Sequence, residues 1–131
     1  MNIDLRFHNL EIQGQTVPLF FGAMHLNQFC EEKGITLGEW QDKVGNIDFL
    51  NVSSLKGDDT FFLCDMIHTA MSLGHELDTG EKFPHSNLQI RALLMQEQEV
   101  FGEALIAMLN SWPKGEAKAE KKTNPKLKKA G

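Results

Sequence analysis

Residues 20–44 read "FFGAMHLNQFCEEKGITLGEWQDKV", and the way this stretch divides decides the fold. After Gly22 the apolar residues Ala23, Leu26, Phe29 and Cys30 recur three or four apart, with Asn27, Gln28, Glu31 and Glu32 on the other side. That spacing is an amphipathic helix. Gly34 stands where a left-handed C-terminal cap is wanted, because only glycine takes that backbone shape at no steric cost. Thr36 followed three residues later by Glu39 is a capping-box pattern. It predicts a second, short helix that buries Leu37, Trp40 and Val44 and ends at Gly45-Asn46.

Toward the N-terminus, residues 2–21 read "NIDLRFHNLEIQGQTVPLFF" and follow a different period. Ile3, Leu5 and Phe7 alternate with polar residues, and the alternation restarts at Leu10 and Ile12, which is strand periodicity. Gly14-Gln15 suits a turn, and residues 16–21 form a return strand rich in β-formers. Pro18 has no N–H for a ladder, so the return strand pairs on one side only. A hairpin this small cannot stand alone in water and needs helices to cover it.

Toward the C-terminus, "NIDFLNVSSL" (46–55) suits a short helix through Ile47, Leu50 and Ser54 or a buried loop through Phe49 and Val52, with the helix the favoured reading, and residues 59–73, "DTFFLCDMIHTAMSL", are apolar on nearly every side. Such a helix belongs at the centre of the core. Gly74 is expected to close it, and residues 75–86 to form a polar loop. Ser86 with Gln89 is a second capping box, opening one long helix to Ser111 that Trp112-Pro113 stops. Residues 114–131 hold a single Leu and no other large apolar side chain, too little to order a segment. The expected fold is mainly α (α+β). One globular domain spans 1–113, with the hairpin at 2–21 packed against four to five helices at 22–111, and a disordered lysine-rich tail covers 114–131.

The 131 residues suffice for one core, and nowhere do about 18 consecutive apolar residues occur, as a membrane-spanning helix requires. The N-terminus puts an acid where a signal peptide has a basic segment, so a cytoplasmic location is expected. Cys30 and Cys64 sit among apolar neighbours and read as reduced core residues. The net charge of -5 divides unevenly: the tail carries seven lysines and two glutamates, the rest six basic and sixteen acidic residues. An acidic body repels phosphates, which argues against nucleic acid and leaves only a regulator acting through the basic tail as an alternative.

No constellation for catalysis emerges. His68, His75, Glu76 and Cys64 are the best ligand cluster, but a zinc helix needs two histidines four apart and these are seven apart. No serine has the Gly-x-Ser-x-Gly frame and no cysteine a Cys-x-x-Cys partner. Neither an enzyme nor a cofactor or metal site is expected. Read as a DNA-binding helix-turn-helix, residues 22–45 would present Glu39 and Asp42 to the bases, and two acids there oppose that role.

The order strand-turn-strand, "LFFGAMHLNQFCEEKGITLGEW", then "FLCDMIHTAMSLGHELDTGEKFPHSNLQI" resembles the tail assembly chaperones of long-tailed bacteriophages and prophages, over roughly residues 1–112. The resemblance implies a protein without catalysis that coats the long, apolar tape measure protein, keeps it soluble and helps recruit tail-tube subunits. The implied partners are the tape measure and tail-tube proteins; self-association of the chain is a further option, and no membrane is expected. Such a role needs a surface that takes apolar helices reversibly, and the flexible thioether of methionine suits it. Met24, Met95 and Met108 are the candidates, each with core filling as the alternative.

Overall fold

The computed structural model describes residues 3–49 and 51–112; the tail expected at 114–131 lies outside them. A two-stranded antiparallel hairpin, β1 (His8–Ile12) and β2 (Gln15–Leu19), is followed by α1 (Ala23–Lys33), α2 (Leu37–Gly45), a single 3₁₀ turn at Val52–Ser54, α3 (Gly57–Thr79), α4 (Asn87–Gln96) and α5 (Gln98–Ser111). The mainly α architecture with an N-terminal hairpin is as expected from the sequence.

The hairpin pairs His8 with Leu19 and Ile12 with Gln15, leaving Gln13 and Gly14 as a two-residue loop. Both have positive φ, 51° and 81°, the requirement of a type I′ turn whose twist matches the strands. The turn is therefore Gln13-Gly14, one residue earlier than the expected Gly14-Gln15. Leu10, Ile12 and Leu19 point into the core, while Glu11 and Thr16 face outward. Residues 3–7 keep their strand alternation yet form no strand, because β2 ends opposite His8 and the chain then turns into α1.

The opening stretch folds as its caps dictate. Gly34 takes the left-handed conformation (φ 68°, ψ 34°), and Thr36 and Glu39 form the reciprocal capping box at 3.0 and 2.8 Å. Trp40 is buried and its indole N–H points at the sulfur of Met66, 3.5 Å away. Leu37, expected in the core, is 47% exposed, because residues 36–39 all lie on the surface turn that feeds α2.

Helix α3 crosses the centre of the molecule, burying Leu63, Cys64, Met66, Ile67, Ala70 and Met71. It does not stop at Gly74. It continues to Thr79, where Gly80 supplies the left-handed cap, so His75, expected in a loop, is helical. Gly74 instead makes room for the hairpin, since a Cβ there would stand 2.1 Å from the carbonyl oxygen of Pro18. The missing side chain lets β2 lie directly on α3, and the Phe20 N–H donates to the Ala70 carbonyl at 3.1 Å.

Two further expectations are corrected. Among the described residues of 47–55 the regular structure is the single 3₁₀ turn, since Ser53 and Ser54 bond to Asn51 through their side chains and compete with a helical ladder. The long final helix is broken at Glu97 (φ -108°, ψ 76°), within the polar run 96–99. A straight rod of that length would lie along α3 alone; the break lets α4 pack on α3 while α5 reaches both α3 and β1. At its end Trp112 meets Trp40 and Phe49 edge to face, 5.3 and 5.9 Å between centroids.

Candidate binding groove

Met24, Gln28 and Glu32 stand four apart on α1 and so form one stripe along that helix. Opposite them, His68, Ser72, Leu73, Glu76 and Leu77 line the C-terminal half of α3. Between the two helices runs a groove of about 670 Å³, closed on one side by residues 82–86, which cross over α3. His68 fixes that crossing segment, donating from Nε2 to the carbonyl of His85 at 2.8 Å. Phe83 is held within a ring of imidazoles, 5.7 Å from His68, 5.6 Å from His75 and 5.3 Å from His85.

Phe83, Pro84 and His85 also wall a second groove, of about 700 Å³, whose far side is Val17 and Pro18 of β2 with Gln89 and Leu93 of α4. One strap thus serves two concave surfaces. The lips of the first groove are apolar and open: Met24 is 51% and Leu77 37% exposed. Its charged groups are Glu32 and Glu76 against Lys82.

Of the three methionines expected at a binding surface, only Met24 is in this position. Met95 is half-buried against the core, and Met108 is fully buried. Unbranched and flexible, Met108 fills a core gap instead of meeting a partner. Sequence reasoning placed Leu73 in the central helix without assigning it to a groove, and it missed Leu77 and Phe83 because it ended α3 at Gly74 and placed 75–86 in one loop.

It also missed an ionic knot behind the groove. Asp65, 1% exposed in the middle of α3, receives a two-pronged hydrogen bond from Arg91 of α4, Nε to Oδ1 at 2.9 Å and a terminal nitrogen to Oδ2 at 2.7 Å. The ammonium of Lys33, at the end of α1, bonds to the same Oδ2. Thr69 donates to the Glu32 carboxylate at 2.8 Å and adds a fourth link between α3 and its neighbours. Burial by itself raises the Asp65 carboxyl, but the hydrogen bonds and charges of Arg91 and Lys33 overcome it and hold the group below its ordinary range. Burial pushes the neighbouring Cys64 thiol up to about 12, with the Asp65 charge adding to the effect, so the thiol stays protonated.

His25 is the other buried polar residue of note, on α1. It donates from Nε2 to the Met66 carbonyl at 2.7 Å and stands edge-on to Phe21 at 5.3 Å, while Nδ1 has no partner. Burial holds its imidazole below the ordinary histidine value, against the opposing pull of the Met66 carbonyl and Glu32.

In α2 the capping box engages Glu39, and Lys43 pairs with Asp59 at 2.9 Å. Among the described residues no three His, Cys, Asp or Glu side chains converge as a metal site would require, and no helix is long and apolar enough to cross a membrane. Compared with known proteins, the chain matches no family model, no curated protein and no solved structure.

Proposed function

We propose that this chain is a non-catalytic assembly chaperone of the phage-tail kind, which grips apolar helical stretches of a tape measure protein and helps recruit tail-tube subunits around it. It works in the cytoplasm of the bacterial host and needs neither membrane nor nucleic acid. The observation that supports the reading most is the groove between α1 and α3, open at Met24 and Leu77 and lined further in by Leu73 and Phe83. An amphipathic helix laid into such a groove anchors through side chains three, four and seven apart. Methionine at the lip adapts to successive, non-identical segments, as a protein that coats a long partner requires. The partner itself is proposed from the resemblance of residues 1–112 to the tail assembly chaperones.

The test is co-expression with a tape measure protein, taken from the same genome where one is encoded. A soluble complex is expected, together with a rise in the partner's solubility, and Met24→Asp should lower capture at least tenfold while leaving the fold intact. Failure to form a complex, with no gain in the partner's solubility, removes the reading.

A further inference from the structure

We propose that residues 3–7, "IDLRF", are the pairing strand of a two-fold dimer of this chain, each copy supplying the partner strand that the other lacks. This rests on the N-terminal segment alone and is independent of the groove.

The segment has strand chemistry and no strand. Ile3, Leu5 and Phe7 alternate with Asp4 and Arg6, and the last hairpin pair is His8 with Leu19. Five residues therefore overhang the sheet. Ile3 is 72% and Leu5 39% exposed. Asp4 and Arg6 lie on one side of the extended chain, 4.0 Å apart, with side chains 84% and 91% exposed. Phe7 is the only one of the five that is half-buried, its ring 5.8 Å from Phe20, so the segment is tethered where it leaves β1. An exposed run with one apolar and one charged face, continuous with a sheet strand, is a template for pairing.

The sequence specifies which strand it pairs with. In an antiparallel pair centred on Leu5, residue 3 of one copy faces residue 7 of the other, 4 faces 6, and 5 faces itself. Asp4 then opposes Arg6 of the second copy, and Arg6 opposes its Asp4, so both cross-strand pairs join opposite charges. On the other face Ile3 meets Phe7, Leu5 meets Leu5, and Phe7 meets Ile3, an unbroken apolar row. Directly opposed side chains in such a pair have Cβ atoms about 4.5–5.5 Å apart, close enough for both kinds of contact. The arrangement is isologous and closes on itself, so it ends at a dimer and does not propagate. Two five-residue strands bury little area, which sets a weak, exchanging dimer.

Sedimentation velocity of the full chain from about 10 µM to 1 mM, the range suited to a small interface, reads the mass. The weight-average mass should climb from that of the 14.8 kDa chain toward twice that value. Asp4→Arg and Arg6→Asp should each weaken self-association at least tenfold, and mixing the two variants should restore it, since every opposed pair is again of opposite sign. Both positions are exposed, so neither change threatens the fold. Leu5→Cys should yield a disulfide-linked dimer under mild oxidant, because opposed Cα atoms in antiparallel strands lie within disulfide reach, whereas Ile3→Cys should not. Cys30 and Cys64 are buried and do not compete. A constant monomer mass across the range overturns the proposal; so do charge variants that associate normally, a mixture that fails to recover, or equal cross-linking at positions 3 and 5.

Discussion

The two halves of α3 differ in what touches them. Residues 63–71 are buried apart from His68, which reaches the groove, and Asp65 is tied to α1 through Lys33 and to α4 through Arg91. Residues 72–79 have β2 on one side at Gly74 and otherwise line two open grooves. One helix thus serves both as an anchor and as a wall of two open grooves. The difference teaches a division of labour: the groove wall leaves Leu77 open, and the rigidity that keeps it in place comes from elsewhere along the same rod.

The sharpest way to break this contrast is Arg91→Ala. It leaves a buried carboxylate with Lys33 as its one remaining cation, and unfolding free energy in denaturant should fall by about 3 kcal/mol. If the loss is under about 1 kcal/mol, the ion pair does not anchor α3. Gly74→Ala comes next. A Cβ 2.1 Å from the Pro18 carbonyl forces the hairpin off the helix, and the expected loss is about 2 kcal/mol.

Acid should act on the enclosed half in two stages. Unfolded His25 takes up a proton near pH 6.5, whereas in the folded chain burial delays uptake to lower pH. Stability therefore declines as pH drops through about 6.5 and stops declining below the folded-state value. Asp65 follows at lower pH: its folded pKa is depressed, so its contribution is present above the ordinary carboxylate range and is lost as pH falls through the folded value. Denaturation curves across pH should show both stages, and His25→Gln should flatten the first alone. Leu77→Ser, on the open half, should change stability by less than about 0.5 kcal/mol while reducing partner capture. A large loss of stability there would mean that the groove wall is core, and the contrast would fail.

Much of this was legible where the chemistry is local. Gly34, Thr36 with Glu39, and Ser86 with Gln89 act through their own backbone neighbours, and each was readable from spacing. Gly74 misled because a glycine inside an apolar helix looks like a terminator, when its cause is a strand more than fifty residues earlier in the chain. Asp65 was passed over inside "FFLCDMIH", although one acid in an otherwise apolar run is itself a sign of a buried ion pair. Nothing in the sequence names Lys33 and Arg91 as its partners, since three helices must first assemble. The groove was invisible for the same reason: Met24 and Leu77 are 53 positions apart, and Met108, equally plausible by composition, ended in the core.

The meeting of Trp40 and Trp112 gives the molecule a built-in optical signal. They are the only tryptophans in the chain and there is no tyrosine, so the indole emission comes from one joint, where α2, Phe49 and the end of α5 converge. Two indole rings 5.3 Å apart at 83° are close enough to couple their transitions. Near-ultraviolet circular dichroism and fluorescence will therefore follow the closing of that joint without any label, and loosening of the end of α5 will show in the emission.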